Sequence, residues 1–157
     1  MHVVLVDPQI PQNTGSIART CAATQTPLHI VGTPAFEISD RTVRRAGLDY
    51  WPWVPLSMHS NFEEFEKATH PGKIWLLSKF GTRSYVNARF SSGDALVFGS
   101  ETKGLGKEFI SKYPEEQVLR IPMVCEHVRS LNLSNAVSIV LFEARRQLGL
   151  LDGESRK

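Results

Sequence analysis

The sequence predicts an α/β domain: a mostly parallel sheet with helices on both faces. Short apolar runs alternate with amphipathic segments from end to end, the pattern of strands joined by crossover helices. Several of these runs are apolar throughout and stop at Pro, Gly or Asp, as strands buried on both faces do. The chain of 157 residues is the length of one domain, taken here as residues 1–157. At that size it buries about 70% of the surface its unfolded chain would expose, so no metal or disulfide is needed to hold it.

The elements follow in order. His2 to Val6 reads as a buried strand stopped by Asp7-Pro8. Gly15 to Thr24 reads as a helix entered through Asn13 or Thr14. Leu28 to Val31 is a second strand, ended by Gly32. Asp40 suits the cap of a short basic helix at 41–46, with Gly47 at its exit. Pro52 and Pro55 make 51–56 an extended edge segment or a loop. Asn61 to Ala68 carries Glu63 and Glu64 in its first turn, where the helix dipole favours acids. Ile74 to Ser78 and Ala95 to Gly99 are further buried strands, separated by a polar stretch holding Lys79, Arg83 and Arg89. A short helix at 107–113 and a strand at 118–121 precede a last helix from about Asn132 to Leu148. That helix carries an apolar stripe, Val137, Val140, Leu141, Ala144 and Leu148, which Ile139 and Phe142 widen. So broad an apolar arc implies burial on two sides, the second supplied by a twin subunit. The tail, 152–157, is expected to fray.

Composition narrows the classes. Hydrophobic residues make up 41% and charged residues 22%, with a net charge of +2 that permits an anionic partner without demanding one. Cys21 and Cys125 form no C-x-x-C pair and read as two buried thiols in a reducing compartment. No leader or long apolar run is apparent, which fits a cytoplasmic location and no membrane span. The scattered histidines supply no metal site. Gly99 to Gly104 has the spacing of a phosphate loop but runs on into Leu105, and no G-x-G-x-x-G follows the first strand.

Three polar clusters remain, each following a strand, where open α/β sheets bind ligands. The first is Asn13-Thr14-Gly15 with Arg19 one turn on; a small residue beside a long cation leaves room for a phosphate or ribose. The second is the Gly99 to Gly104 turn, whose glycines allow close approach and whose Glu101 can accept from a ligand hydroxyl or amine. The third is Ser130, Asn132, Ser134 and Asn135 at the start of the last helix, more capping groups than one helix needs. Ile121-Pro122-Met123 leads into it, with Met123 and Leu131 as apolar contacts for a base.

Asn13-x-Gly15-x-x-x-Arg19, Phe98 to Leu105 and Arg129 to Ala136 together resemble the three motifs of the SPOUT RNA methyltransferases. The match extends to Pro8 through Gly15 and to residues 44–50, and is similar to the single-domain branch that 2′-O-methylates the wobble ribose of certain leucine tRNAs. The resemblance implies a homodimer through the last helix, a C-terminal trefoil knot, and S-adenosylmethionine converted to S-adenosylhomocysteine. It places the cofactor on Leu77, Ser78, Gly99, Glu101, Gly104, Ile121, Met123, Ser130 and Leu131, with Arg19, Asn13, Glu101, Ser134 and Asn135 at the reacting groups. Candidate contacts to tRNA phosphates are Arg41, Arg44, Arg45, Lys79, Arg83, Lys103 and Arg129. The competing classes are a related methyltransferase acting on another RNA and a nucleotide- or RNA-binding module without turnover. Gln25 and Ala35 stand where the pattern carries glycine, and Phe80 where it carries lysine.

Overall fold

Seven strands form one sheet, and every pairing in it is parallel. The computed structural model describes residues 1–38 and 49–151. The expected helix at 41–46 with its Asp40 cap and Gly47 exit, the candidates Arg41, Arg44 and Arg45, and the tail 152–157 lie outside the described residues. The strands are β1 (His2–Val6), β2 (Leu28–Val31), β3 (Leu56–His59), β4 (Ile74–Leu77), β5 (Arg83–Ser84), β6 (Ala95–Phe98) and β7 (Val118–Arg120). Their order across the sheet is β3-β2-β1-β6-β4-β7-β5. The carboxyl ends of β4, β6 and β7 therefore lie side by side.

Among the described residues four helices cover the sheet: α1 (Pro11–Thr24), α2 (Phe62–Thr69), α3 (Lys107–Ile110) and α4 (Leu133–Gln147). On one face Ile17, Ala18 and Cys21 of α1 and Val137, Val140, Leu141 and Ala144 of α4 pack with Leu5, Ile30, Trp75 and Phe98, all buried. On the other face Phe65 of α2 packs with Val4, Val97 and Val118, flanked by Phe109 and Ile110 of α3. The expected stripe on α4 is the buried one, with Leu148 half-buried at its end. Phe142 is left 44% exposed and Ile139 half-buried, so among the described residues the widened arc is only partly covered.

Several expectations need correction. Helix α1 begins at Pro11, not Gly15, and has no side-chain cap of its own. Proline presets the first helical residue, and Asn13 and Thr14 fall inside the first turn, buried. Residues 51–53 form a 3-10 turn, since Pro52 suits a turn's start, and the edge strand begins only at Leu56. Strand β5 lies in the stretch expected to be merely polar; two residues carry no periodic signal. Cys125 is exposed, while Cys21 is buried and burial pushes its thiol up to about 12. Gln25 does occupy the left-handed region at φ 51°, and its side-chain amide donates to the Ala22 carbonyl at 2.8 Å. Ala35 has no left-handed backbone.

Two buried polar groups organise the strands. Asp94, 3% exposed, accepts from the Lys73 and Ser91 amides and from the Trp75 indole, each at 2.9 Å. Three imidazoles cross β1, β2 and β3 over Phe65: His2 Nδ1 and His29 Nε2 are 3.0 Å apart, as are His29 Nδ1 and His59 Nε2. Burial first, then the neighbouring His2 and His59, pushes His29 down from 6.5 to about 4. Below pH 6.5 the unfolded chain takes up a proton that folded His29 refuses, so stability falls with pH until about 4 and then levels. The loss is on the order of 3 kcal/mol. Urea unfolding at about pH 7 and about pH 4.5 should show a smaller acid loss for His29→Asn than for the parent chain.

Candidate active site

A pocket of about 560 Å³ opens at the carboxyl ends of β4, β6 and β7, a volume suited to a small organic ligand. Its walls come from the ends of those strands, the turn after β6, the loop before α4 and the first turn of α1. Leu77, Ser78, Gly99, Glu101, Gly104, Ile121, Met123, Ser130 and Leu131 all line it, as do Asn13, Lys79, Lys103 and Arg129. So do Ile10, Phe80, Phe98 and Leu133, which were not among the candidate site residues although the motifs or their departures include them.

Glycine shapes the turn after β6. A Cβ on Gly99 would stand 2.0 Å from the Gly104 carbonyl carbon, so no larger residue lets the turn close. The Gly104 amide donates to the Ser100 carbonyl at 2.8 Å, and the Lys103 amide to the Ser100 hydroxyl at 3.2 Å. Gly104, at φ +63°, has open space where a side chain would project. The lining thus offers backbone groups and apolar surface at close range, the chemistry that accommodates a purine and its ribose.

Glu101 was expected to face a ligand. Its oxygens are instead taken by the protein: Oε2 accepts from the Gln9 amide at 2.8 Å, and Oε1 from the Ile10 amide at 3.0 Å and the Asn13 side chain at 3.1 Å. The start of α1 lacks a side-chain cap of its own; this carboxylate, from a distant loop, takes the two backbone amides just ahead of the helix and lies at the positive end of its dipole. Burial would raise the carboxyl, but the donors from Gln9, Asn13 and Ile10 with its own backbone outweigh that and hold it below the usual value. A carboxylate so held is a poor proton acceptor.

Asn13 joins this contact to the third cluster. The Asn132 amide donates to the Asn13 side-chain carbonyl at 2.9 Å. Asn132 Oδ1 in turn caps α4, accepting from the Ser134 amide at 2.9 Å, the Ser134 hydroxyl at 2.6 Å and the Asn135 amide at 3.4 Å. Ser134 and Asn135 therefore complete the cap and do not line the pocket, contrary to expectation; the lining position is Asn132. All three polar clusters meet through Glu101, Asn13 and Asn132.

Two expected cations stand apart. Arg19 is exposed and outside the pocket lining, its guanidinium 4.7 Å from the centre of the Tyr50 ring. Tyr50 is fixed by donating to the Gly15 carbonyl at 2.7 Å. Arg83 bonds to the Glu116 and Asn87 carbonyls, which ties β5 to the turn before β7 and leaves it a poor phosphate contact. Among the described residues no group of three His, Cys, Asp or Glu side chains could hold a metal ion, and no helix is long and apolar enough to cross a membrane.

A parallel sheet with a ligand pocket at its carboxyl edge, walled by a knuckled glycine turn and a capped C-terminal helix, defines an α/β enzyme of the nucleotide-binding kind. A sequence profile of the SpoU rRNA methylase family matches residues 1–142, and the chain belongs to that family. It is 45% identical over 148 residues to the tRNA (cytidine(34)-2'-O)-methyltransferase of Saccharophagus degradans, covering 94% of this chain and 96% of that one. A solved structure concerned with 2-OH methylation of C/U34 on tRNA superposes with a TM-score of 0.85 at 44% identity, over 94% and 95% of the two chains. The SpoU methyltransferase AviRb from Streptomyces viridochromogenes, in complex with AdoMet, matches at a TM-score of 0.78 and 26% identity, over 94% of this chain and 57% of its own.

The shared hydrogen bonds predict a specific coupling. Asn13→Ala and Glu101→Gln should each lower the unfolding free energy by about 1–2 kcal/mol. Denaturation of the double variant should show a loss smaller than the sum of the two, because both remove the same contact.

Proposed function

We propose that the chain, acting as a single catalytic domain in the cytoplasm, transfers a methyl group from S-adenosylmethionine to the 2′-oxygen of the wobble ribose, cytidine-34 or uridine-34, of leucine tRNAs. One observation carries the reading: the pocket unites every residue that the methyltransferase resemblance assigns to the cofactor, from Leu77 to Leu131. The likeness to the Saccharophagus degradans enzyme over nearly the full length of both chains supports the tRNA wobble position. AdoMet in the AviRb complex supports the methyl donor.

The lining fits that donor. Backbone at Leu77, Gly99, Ile121, Met123 and Leu131 can read a purine edge and ribose hydroxyls, with Phe98, Leu105 and Leu133 as apolar walls. When bound, the cofactor supplies a methyl group activated on a sulfonium. The protein's task is to bring a ribose oxygen in line with it, and positioning supplies much of the rate of such a displacement. Arg19 holds the ribose or its neighbouring phosphate; a guanidinium, a permanent cation, donates hydrogen bonds and cannot remove the proton. The poorly basic Glu101 braces the turn against α1. The proton leaves to a phosphate, to water or to a side chain at the bound tRNA.

The working unit in this reading is a homodimer through α4. The exposed Phe142 beside a buried stripe supports it, and so does Arg19 lying outside its own chain's pocket, which a second copy can complete. A C-terminal trefoil knot belongs to the same reading. Its support is that β7 lies between β4 and β5, though it follows both in the chain. Residues 78–82, which join those two strands, lie directly against it: a Cβ on Gly81 would be 2.6 Å from the Leu119 carbonyl carbon.

Incubation with labelled S-adenosylmethionine and a tRNA pool, mapped by nucleotide, should place the methyl on position 34. Transfer elsewhere would redirect the substrate, and cofactor binding without transfer to any RNA would sink the reading. Arg19→Lys should cut turnover at least tenfold, since the bidentate fork is lost, while calorimetry shows unchanged cofactor affinity.

A further inference from the structure

Phe80 is a large apolar side chain standing 49% exposed at the rim of the pocket. Its backbone is held still. The Phe80 amide donates to the Ser78 hydroxyl at 3.2 Å, the Gly81 amide donates to the Ser78 carbonyl at 3.1 Å, and Gly81 is seated against β7. Two ammonium groups flank the ring, those of Lys79 and Lys107, each 5.2 Å from its centre. Neither lysine forms an ion pair among the described residues. Lys103 and Arg129 add further positive charge to the same rim.

A rigid, half-exposed aromatic ring between uncommitted cations is the arrangement that holds an unpaired nucleotide, the base stacking on the ring and the phosphates meeting the ammoniums. We propose that Phe80 is a stacking platform for a base of the RNA substrate, with Lys79 and Lys107 on the flanking phosphates; this rests on the proposed function above. A nucleotide at the rim must be unstacked for its ribose to enter the pocket, and the phenyl ring replaces the stacking partner it loses. An exposed lysine–aromatic contact is weak and yields readily to a stacked base. Phe80 is then a specificity-determining residue, selecting RNA whose target nucleotide lies in a loop.

Three arms test this with the full-length protein. In steady-state methylation of tRNA, Phe80→Ala should raise KM for tRNA about tenfold, Phe80→Trp should restore it, and cofactor affinity by calorimetry should stay constant. Lys79→Gln and Lys107→Gln should each reduce the salt dependence of tRNA binding by about one phosphate contact. In Phe80→Trp, an anticodon stem-loop RNA should quench the added tryptophan emission, and a blunt RNA duplex should not. An unchanged KM in Phe80→Ala, or a loss of cofactor affinity in place of tRNA affinity, overturns the proposal. Quenching without any methyl transfer would leave the platform and remove the proposed reaction; transfer without quenching would do the reverse.

Discussion

The hydrogen-bonded line from Glu101 through Asn13 to Asn132 is the contact on which the rest of the site depends. Its members are far apart in sequence, yet each satisfies a need the others create. The Gln9 and Ile10 amides just ahead of α1 need an acceptor, and Glu101 provides one for both. The turn that carries Glu101 is closed by glycines and has little apolar packing of its own, so the same bonds anchor it. Asn132 must point its carbonyl at the start of α4, which leaves its amide free to reach Asn13. Charged and neutral bonds shared in this way polarise one another, and removing any member strands the rest.

Much of this was legible from the residue pattern. The β1, β2, β4 and β6 strands were readable because parallel strands buried on both faces are apolar throughout, and proline and glycine mark where they stop. The pocket residues were readable as motifs, and the structure gathers them at one edge. What escaped was set by distance. No local signal says that a loop glutamate near residue 100 binds the amides of Gln9 and Ile10, so Glu101 looked like a free ligand group. Ser134 and Asn135 looked like site residues for a related reason: Asn132 absorbs three donors, the Ser134 hydroxyl and the backbone amides of Ser134 and Asn135. Strand β5 is two residues long, and its existence depends on β7 arriving beside it.

Close backbone approach at two glycines shapes the segments that carry much of the pocket lining. Gly99 lets the turn after β6 fold onto itself, and Gly81 lets the segment after β4 lie against β7. In both places main chain meets main chain with no side chain between. Where the turn after β6 borders the pocket, its wall includes main chain, whose position depends on strand register rather than on rotamers.

The three histidines across β1, β2 and β3 have a consequence for proton position. A neutral imidazole carries one N–H, and here His29 uses both nitrogens, one toward His2 and one toward His59. If His2 donates from Nδ1, then His29 must donate from Nδ1, and His59 is left carrying its proton on Nδ1 as well. If His59 donates from Nε2, every ring carries its proton on Nε2 instead. The neutral row is a line of aligned dipoles with two polarities and no mixed state that keeps both bonds. The tautomer at the outer strand β3 is thereby fixed by the one on β1, two strands further in.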